Sequence, residues 1–266
     1  MMKRILFLIL FLLSSNPAYA ITNWVSEDDC ISAWLMNKDE SPLTDSNTEN
    51  TNWPLALAAA GEPDFASADP PDSSDGFDGT STGYYVFDGV DDWLETSTYQ
   101  RPNTWDGVTL VTWVYWTSSD RDYNVIQSNQ KAGDPYWRMG IEPDDDKLRF
   151  AINPNGSDIG HLAGVVTQDE WHHAAGTYNA TTGDIKIYNN GVVDDGYTPG
   201  ATGWDSSGQV YPTVLGHNAQ KDNNEYEGRQ TQVGLFSTVH DSTDINDMMD
   251  NGLYQVAAAG RTRRFF

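Results

Sequence analysis

The chain has 266 residues, with 39 acidic against 15 basic side chains and a formal net charge of −24. Phosphate backbones and anionic bilayers are excluded as partners, because binding them needs clustered Lys and Arg that release counterions. The 12% aromatic content, with 10 Trp and 13 Tyr, argues against disorder, and a single cysteine excludes an intrachain disulfide.

The first twenty residues read as an export signal. Lys3 and Arg4 form a positive start, Ile5 to Leu13 is an unbroken apolar run, and Pro17 precedes the small-x-small site Ala18-Tyr19-Ala20. Nine apolar residues are too few to span a bilayer and suit a signal core. The expectation is a secreted, extracellular or periplasmic protein, bacterial by its signal, with no membrane insertion and one domain over residues 21–266. Cys30 is expected as a small buried hydrophobe, an intermolecular disulfide being the alternative.

The rest of the chain predicts strands and turns. Ile31 to Met36 forms a first strand, Asp39 to Asn52 a polar loop, and 61–83 a Pro- and Gly-rich stretch with acids at Asp69, Asp72, Asp75 and Asp78. Thr109 to Thr117 is rich in β-branched and aromatic residues and apolar on both faces, as in a strand inside a sandwich. Strands follow over Asn124 to Ser128, Tyr136 to Glu142 and Lys147 to Asn153, the last two joined by a turn over Pro143 to Asp146. Trp171 to Tyr178 and Ile185 to Asn189 are strands, and Asn190-Gly191 before Val192-Val193 is a hairpin turn needing positive φ. Val214 to His217 and Gln232 to Val239 complete the strands. Ser242-Thr243 then caps a short helix with Ile245, Met248, Met249 and Leu253 on one face. Many short strands and almost no helix predict an all-β, antiparallel two-sheet sandwich.

Several of these segments resemble one family. Tyr84 to Glu95, YYVFDGVDDWLE, resembles the FDG-x-DD strand pair of laminin-G-like, concanavalin A-like jelly rolls. Thr109 to Trp116 looks like the strand after it. Asp169 to Val193 is similar to the family's W-H-H strand and Y-x-N-G hairpin, Glu225 to Val239 to its closing strand, and Cys30 to Ser46 to its opening strand and Asp-Ser loop. The resemblance implies a jelly roll with a calcium site, carried here onto Asp45, Asp88, Asp91 and Asp92. One departure weakens that set. The family's closing strand commonly has two acids after its Gly, where this chain has Thr231-Gln232. Calcium takes six to eight oxygen ligands, which the acidic loops can offer, and the 69–78 ladder is a second candidate that lacks EF-hand order.

His172 and His173 alternate on a strand and so face opposite ways, which makes a two-His metal site awkward. The jelly-roll hydrolases carry a Glu-x-Asp-x-x-Glu strand, absent here. A retaining pair needs carboxyls about 5–5.5 Å apart. Glu225-x-Glu227, roughly 6–7 Å apart on one strand face, is the nearest string, so no catalytic residue is assigned. Trp93, Trp113 and Trp171 are expected in the core. Tyr123, Tyr136, Trp137 and Trp204 sit near turns and are candidate sugar-stacking platforms.

Three functions remain open: a secreted carbohydrate-binding module, an adhesive or structural domain that binds extracellular proteins or its own copies, and, disfavoured, a glycoside hydrolase. The partners are then polysaccharide or glycoprotein glycans, or a protein; the basic tail 260–266 could dock on an acidic copy, a frayed end being the alternative.

Overall fold

The computed structural model describes residues 24, 29–36, 55–57, 63–68, 70–71, 74–75, 77, 83–99, 105–117, 124–129, 136–142, 144–154, 158–193, 196–204, 212–218 and 224–253. The signal, Asp45, Tyr123, most of the 69–78 acids and the basic tail lie outside them. Among the described residues no helix is long and apolar enough to cross a membrane.

The strands are β1 (Cys30–Trp34), β2 (Leu55–Leu57), β3 (Asp64–Ala66), β4 (Tyr84–Asp88), β5 (Leu94–Tyr99), β6 (Gly107–Trp116), β7 (Asn124–Ser128), β8 (Tyr136–Glu142), β9 (Lys147–Asn153), β10 (Ile159–Val165), β11 (Trp171–Asn179), β12 (Ile185–Asn189), β13 (Val192–Val193), β14 (Pro212–Leu215) and β15 (Glu227–Phe236), followed by one helix, α1 (Ser242–Asn251). They form two antiparallel sheets. One runs β13-β12-β11-β6-β15-β4-β3, with β1 added beside β15; the other runs β10-β9-β8-β7-β14-β5-β2.

The main core lies between the sheets. Val108, Leu110, Val114 and Trp116 of β6 point into it and meet Leu148, Phe150 and Ile152 of β9 with Trp137 and Met139 of β8. β15 shows why a bulge is needed. Its first half pairs with β4 (Glu227↔Asp88) and its second with β1 (Trp34↔Val233). The register against β6 shifts between Thr231 and Gly234, where Gln232 has φ +51. An extra residue there lets one strand serve two partners on one edge.

The outer face of the first sheet is also covered. Ile245 and Met248 of α1, with Leu253, pack on Val111, Ala175, Tyr188 and Phe236; further along, Phe77, Tyr84, Trp113 and Trp171 form an aromatic layer. Apolar residues on both faces of β6 therefore bury on both, as its sequence predicts.

Several expectations change in detail. The helix cap is Asp241, not Ser242-Thr243. Its carboxylate accepts from Thr243 N at 2.7 Å and Asp244 N at 3.2 Å, and Asp244 accepts in return from Asp241 N at 3.3 Å. The helix ends before Leu253, at Gly252 with φ +77. β10 is an element that the residue pattern did not announce. The turn Asn190-Gly191 has φ +50 and +73, as the sequence requires. Cys30 is buried, as a small hydrophobe would be.

Candidate functional site

The acidic turn after β4 is built locally. Asp88 ends the strand and Gly89 turns the chain at φ +71, a conformation that a Cβ disfavours. Asp88 Oδ1 accepts from Val90 N at 2.7 Å and Asp91 N at 3.4 Å, while Asp92 Oδ2 accepts from Asp88 N at 2.8 Å. These bonds fold the loop onto itself and bring three carboxylates together. One oxygen each from Asp88, Asp91 and Asp92 lies within 4.8 Å of the other two, the first two residues exposed and Asp92 buried.

That crowding has an electrostatic consequence. Burial, with the like charges of Asp88, Asp91 and Asp64, pushes Asp92 up from 3.8 to about 6, against the pull of the Asp88 N–H. A divalent cation would relieve the repulsion, and clustered carboxylates supply the hard oxygens that calcium prefers. The three carboxylates therefore fit a hard divalent cation such as calcium.

The strand pairing adds an acid that the sequence reading placed elsewhere. Glu227 stands opposite Asp88 across the β15–β4 pair, and its side chain covers Gly89, where a Cβ would come within 2.8 Å of Glu227 Cβ. Glu225 instead approaches His217, Oε1 to Nε2 at 3.7 Å, and His217 packs edge-on against Trp93 at 5.9 Å. The two acids of the Glu-x-Glu string thus serve different neighbours. Thr231 and Gln232 hold the fold: Thr231 Oγ1 donates to Leu35 O at 2.8 Å, and Gln232 Oε1 accepts from Leu253 N at 3.2 Å.

The aromatic platform candidates are placed differently from expectation. Trp137 is 0% exposed, its ring in the main core 5.5 Å from Trp105, so its face is closed to a sugar. Neighbours on a strand face opposite ways, and Trp137 takes the inward place on β8. Tyr136 faces outward yet is 2% exposed. Burial first, then a bond to Asp158, pushes its phenol well above the usual range. Trp204 is partly buried and packs edge-on against Tyr178 at 5.1 Å. Trp113 and Trp171 are buried as expected, and Trp93 partly so.

The histidine pair splits between faces as predicted, but both rings are buried. Thr167 N donates to His172 Nε2 at 3.0 Å, leaving Nδ1 to donate to Asn189 Oδ1 at 3.0 Å. His173 lies against Trp113 at 5.3 Å, and burial drives it down to about 3, so it stays neutral.

A second surface lies at the opposite flank, where β10 and β13 end the two sheets. Leu162, Val165, Val192 and Val193 are exposed there, beside a pocket of about 260 Å³ lined by Gly164, Asn189, Val192 and Val193. Tyr197, 44% exposed, stacks on His161 at 5.8 Å. It is the exposed aromatic among the described residues, in a loop that no strand pattern marks.

Residues 88–246 match the family described as the Concanavalin A-like lectin/glucanases superfamily. No curated protein sequence matches. Among solved structures, the receptor binding domain of botulinum neurotoxin mosaic serotype C/D is similar at a TM-score of 0.58 and 15% identity, over 82% of this chain and 50% of that one. A structure of botulinum neurotoxin type C, whose cell entry depends on interaction with two ganglioside molecules, has a TM-score of 0.53 and 17% identity, over 84% of this chain and 51% of that one. A heptameric SAP-like pentraxin from Limulus polyphemus has a TM-score of 0.50 and 13% identity, over 62% and 80%. The chain spans about half the length of the neurotoxin domains that it resembles. With the family match covering more than half of its residues, the chain belongs to the concanavalin A-like lectin/glucanases superfamily.

Proposed function

We propose that this chain is an exported, non-catalytic module that binds glycans and holds calcium at Asp88, Asp91 and Asp92. The observation that carries the reading is the convergence of those three carboxylates within 4.8 Å at the rim of the sandwich. Glu227, over Gly89, adds an acid beside the cluster on the closing strand, where Thr231-Gln232 provide none. The ganglioside link of the type C neurotoxin, a similar fold, supports a sugar as ligand. Division of Glu225 and Glu227 between separate neighbours supports binding without hydrolysis.

Calorimetric titration with calcium is expected to give heat with the wild type and none with the Asp88→Ala, Asp92→Ala double variant. A wild type without heat contradicts the metal assignment. The pH dependence carries a sign. Asp92 has a raised folded pKa, so the metal-free fold favours its protonated form. Its stabilising effect is therefore complete below 3.8 and is lost as pH rises to about 6. Thermal melts in EDTA should show this decline, and saturating calcium should remove it.

The exposed apolar edge of β10 and β13 favours a second reading, adhesion or self-association, since unpaired edges with apolar side chains invite pairing. Light scattering after size exclusion separates the two: a concentration-dependent oligomer that Val192→Asp dissolves supports the second.

A further inference from the structure

The loop between β15 and α1 holds a buried histidine between half-buried acids, unrelated to the acidic rim. His240 lies between Asp29, just before β1, and Asp244, in the first turn of α1. Its Nε2 is 3.1 Å from Asp29 Oδ2, and its Nδ1 is 3.2 Å from Asp244 Oδ2. Trp24 packs edge-on against the ring at 5.1 Å and Phe236 at 4.8 Å. Trp24 Nε1 donates to Asp247 Oδ2 at 3.0 Å, and Thr238 Oγ1 donates to Asp29.

Among the described residues, the charged groups around the ring are Asp29 on the N-terminal segment and Asp241 and Asp244 on α1, with Asp247 behind Trp24. β15, the loop after it and β6 contribute Phe236, Thr238 and Thr109, none of which titrates; Thr109 Oγ1 accepts from His240 N at 3.0 Å. The imidazole thus stands between the carboxylates of Asp29 and Asp244, with Asp241 close by.

We propose that His240 is a pH-operated latch fastening the N-terminal segment, with Trp24 and β1, to α1. Protonated, the ring donates from Nδ1 to Asp244 and sets its charged Nε2–H edge at ion-pair distance from Asp29. Neutral, it keeps one N–H, and both carboxylates lose their counter-charge. Burial opposes the charged ring, but the bonds and charges of Asp29 and then Asp244 outweigh it and raise His240 above 6.5. Burial also opposes ionisation of Asp29, yet its bonds to His240 and Thr238 hold it below 3.8. The His240 contribution is complete below 6.5 and lost as pH rises through the raised value. The Asp29 contribution is present above 3.8 and lost as pH falls through the lowered one. The latch is therefore fastest between these limits and loosens in alkali.

Cys30 supplies a reporter, because this single thiol begins β1 within the latched segment and is buried against Trp24, Phe236, Ile245 and Met248. Its reaction rate with a disulfide reagent, corrected for thiolate fraction, is measured on the full folded chain at pH 6 and pH 9. The expected result is a rise of about tenfold or more at pH 9 in the wild type, and fast, pH-independent reaction in His240→Gln. An equal corrected rate at both pH values in the wild type, or unchanged pH dependence in His240→Gln, overturns the proposal. Should His240→Gln not fold, Asp244→Asn decides: the midpoint of the Cys30 transition moves to lower pH if the latch operates, and an unmoved midpoint overturns it.

Discussion

Trp137→Ala is expected to lower stability by about 3–5 kcal/mol, the usual cost of emptying a buried Trp site. For a domain of this size that is a fall in melting temperature on the order of 10 °C. The ring is wholly inside the main core, against Trp105, and its backbone N–H donates to Asn129 Oδ1 at 2.8 Å. The surrounding strands β8 and β9 are fixed by a seven-residue register from Tyr136↔Asn153 to Glu142↔Lys147, so the site has little room to collapse. A sugar platform at this position would behave in the opposite way, losing ligand affinity and keeping stability. Thermal melts of the variant distinguish the two, and an unshifted melt contradicts the core placement.

Gly228→Ala is expected to be as damaging although it adds one methyl group. Gly228 is in the middle of the first sheet, paired with Phe87 on one side and Trp116 on the other. A Cβ there would stand 2.2 Å from the backbone oxygen of Tyr115 and 2.6 Å from the Tyr226 hydroxyl. That hydroxyl shares its single proton between Tyr115 O and Arg229 O, each at 3.0 Å, and burial keeps it un-ionised. The methyl must displace either a strand or this doubly used donor. Overpacking costs about 1–3 kcal/mol, and a broken buried bond adds about 1–3 kcal/mol, so the loss should match that of Trp137→Ala. Gly200 is the control. It has φ +79 but nothing within 4 Å of its Cβ position, so Gly200→Ala carries only the backbone strain of about 1–2 kcal/mol. Equal stability of the two variants in denaturant melts would show that the close approach at Gly228 is not the cause.

What could be read from the residues follows a physical division between local and long-range order. β7, β8, β9 and β12 have the bounds that their patterns and turns predict, because period-two runs and turn residues are signals within one segment. The acidic turn was legible for the same reason: Asp88, Asp91 and Asp92 converge through bonds within a few residues. Glu227 comes to lie over Gly89, beside that turn, only through the pairing of β15 with β4, far apart in sequence, and no local pattern encodes that register. β10 was missed because IGHLAGV carries two glycines and a histidine, and as an edge strand it has weak alternation. Trp137 was misplaced because proximity to a turn says nothing of which face of a strand meets the second sheet. The helix start moved by one residue because the capping box here uses Asp241 with Asp244, and adjacent hydroxyls at Ser242 and Thr243 present the same local chemistry.

The two flanks of the molecule now have separate expectations, an acidic rim for a cation and an apolar edge for a neighbour. Five strand spacings separate β4 from β13, about 24 Å at the usual sheet spacing. Changes at one flank should therefore leave the other undisturbed.

Binding of labelled full chain to an array of neutral and acidic glycans, run in calcium and again in EDTA, tests the central claim most directly. Retention on at least one glycan in calcium, lost in EDTA and in the Asp88→Ala, Asp92→Ala variant, is the predicted result. Retention on none with the calcium-loaded protein, or release of reducing sugar from a bound glycan, would contradict it.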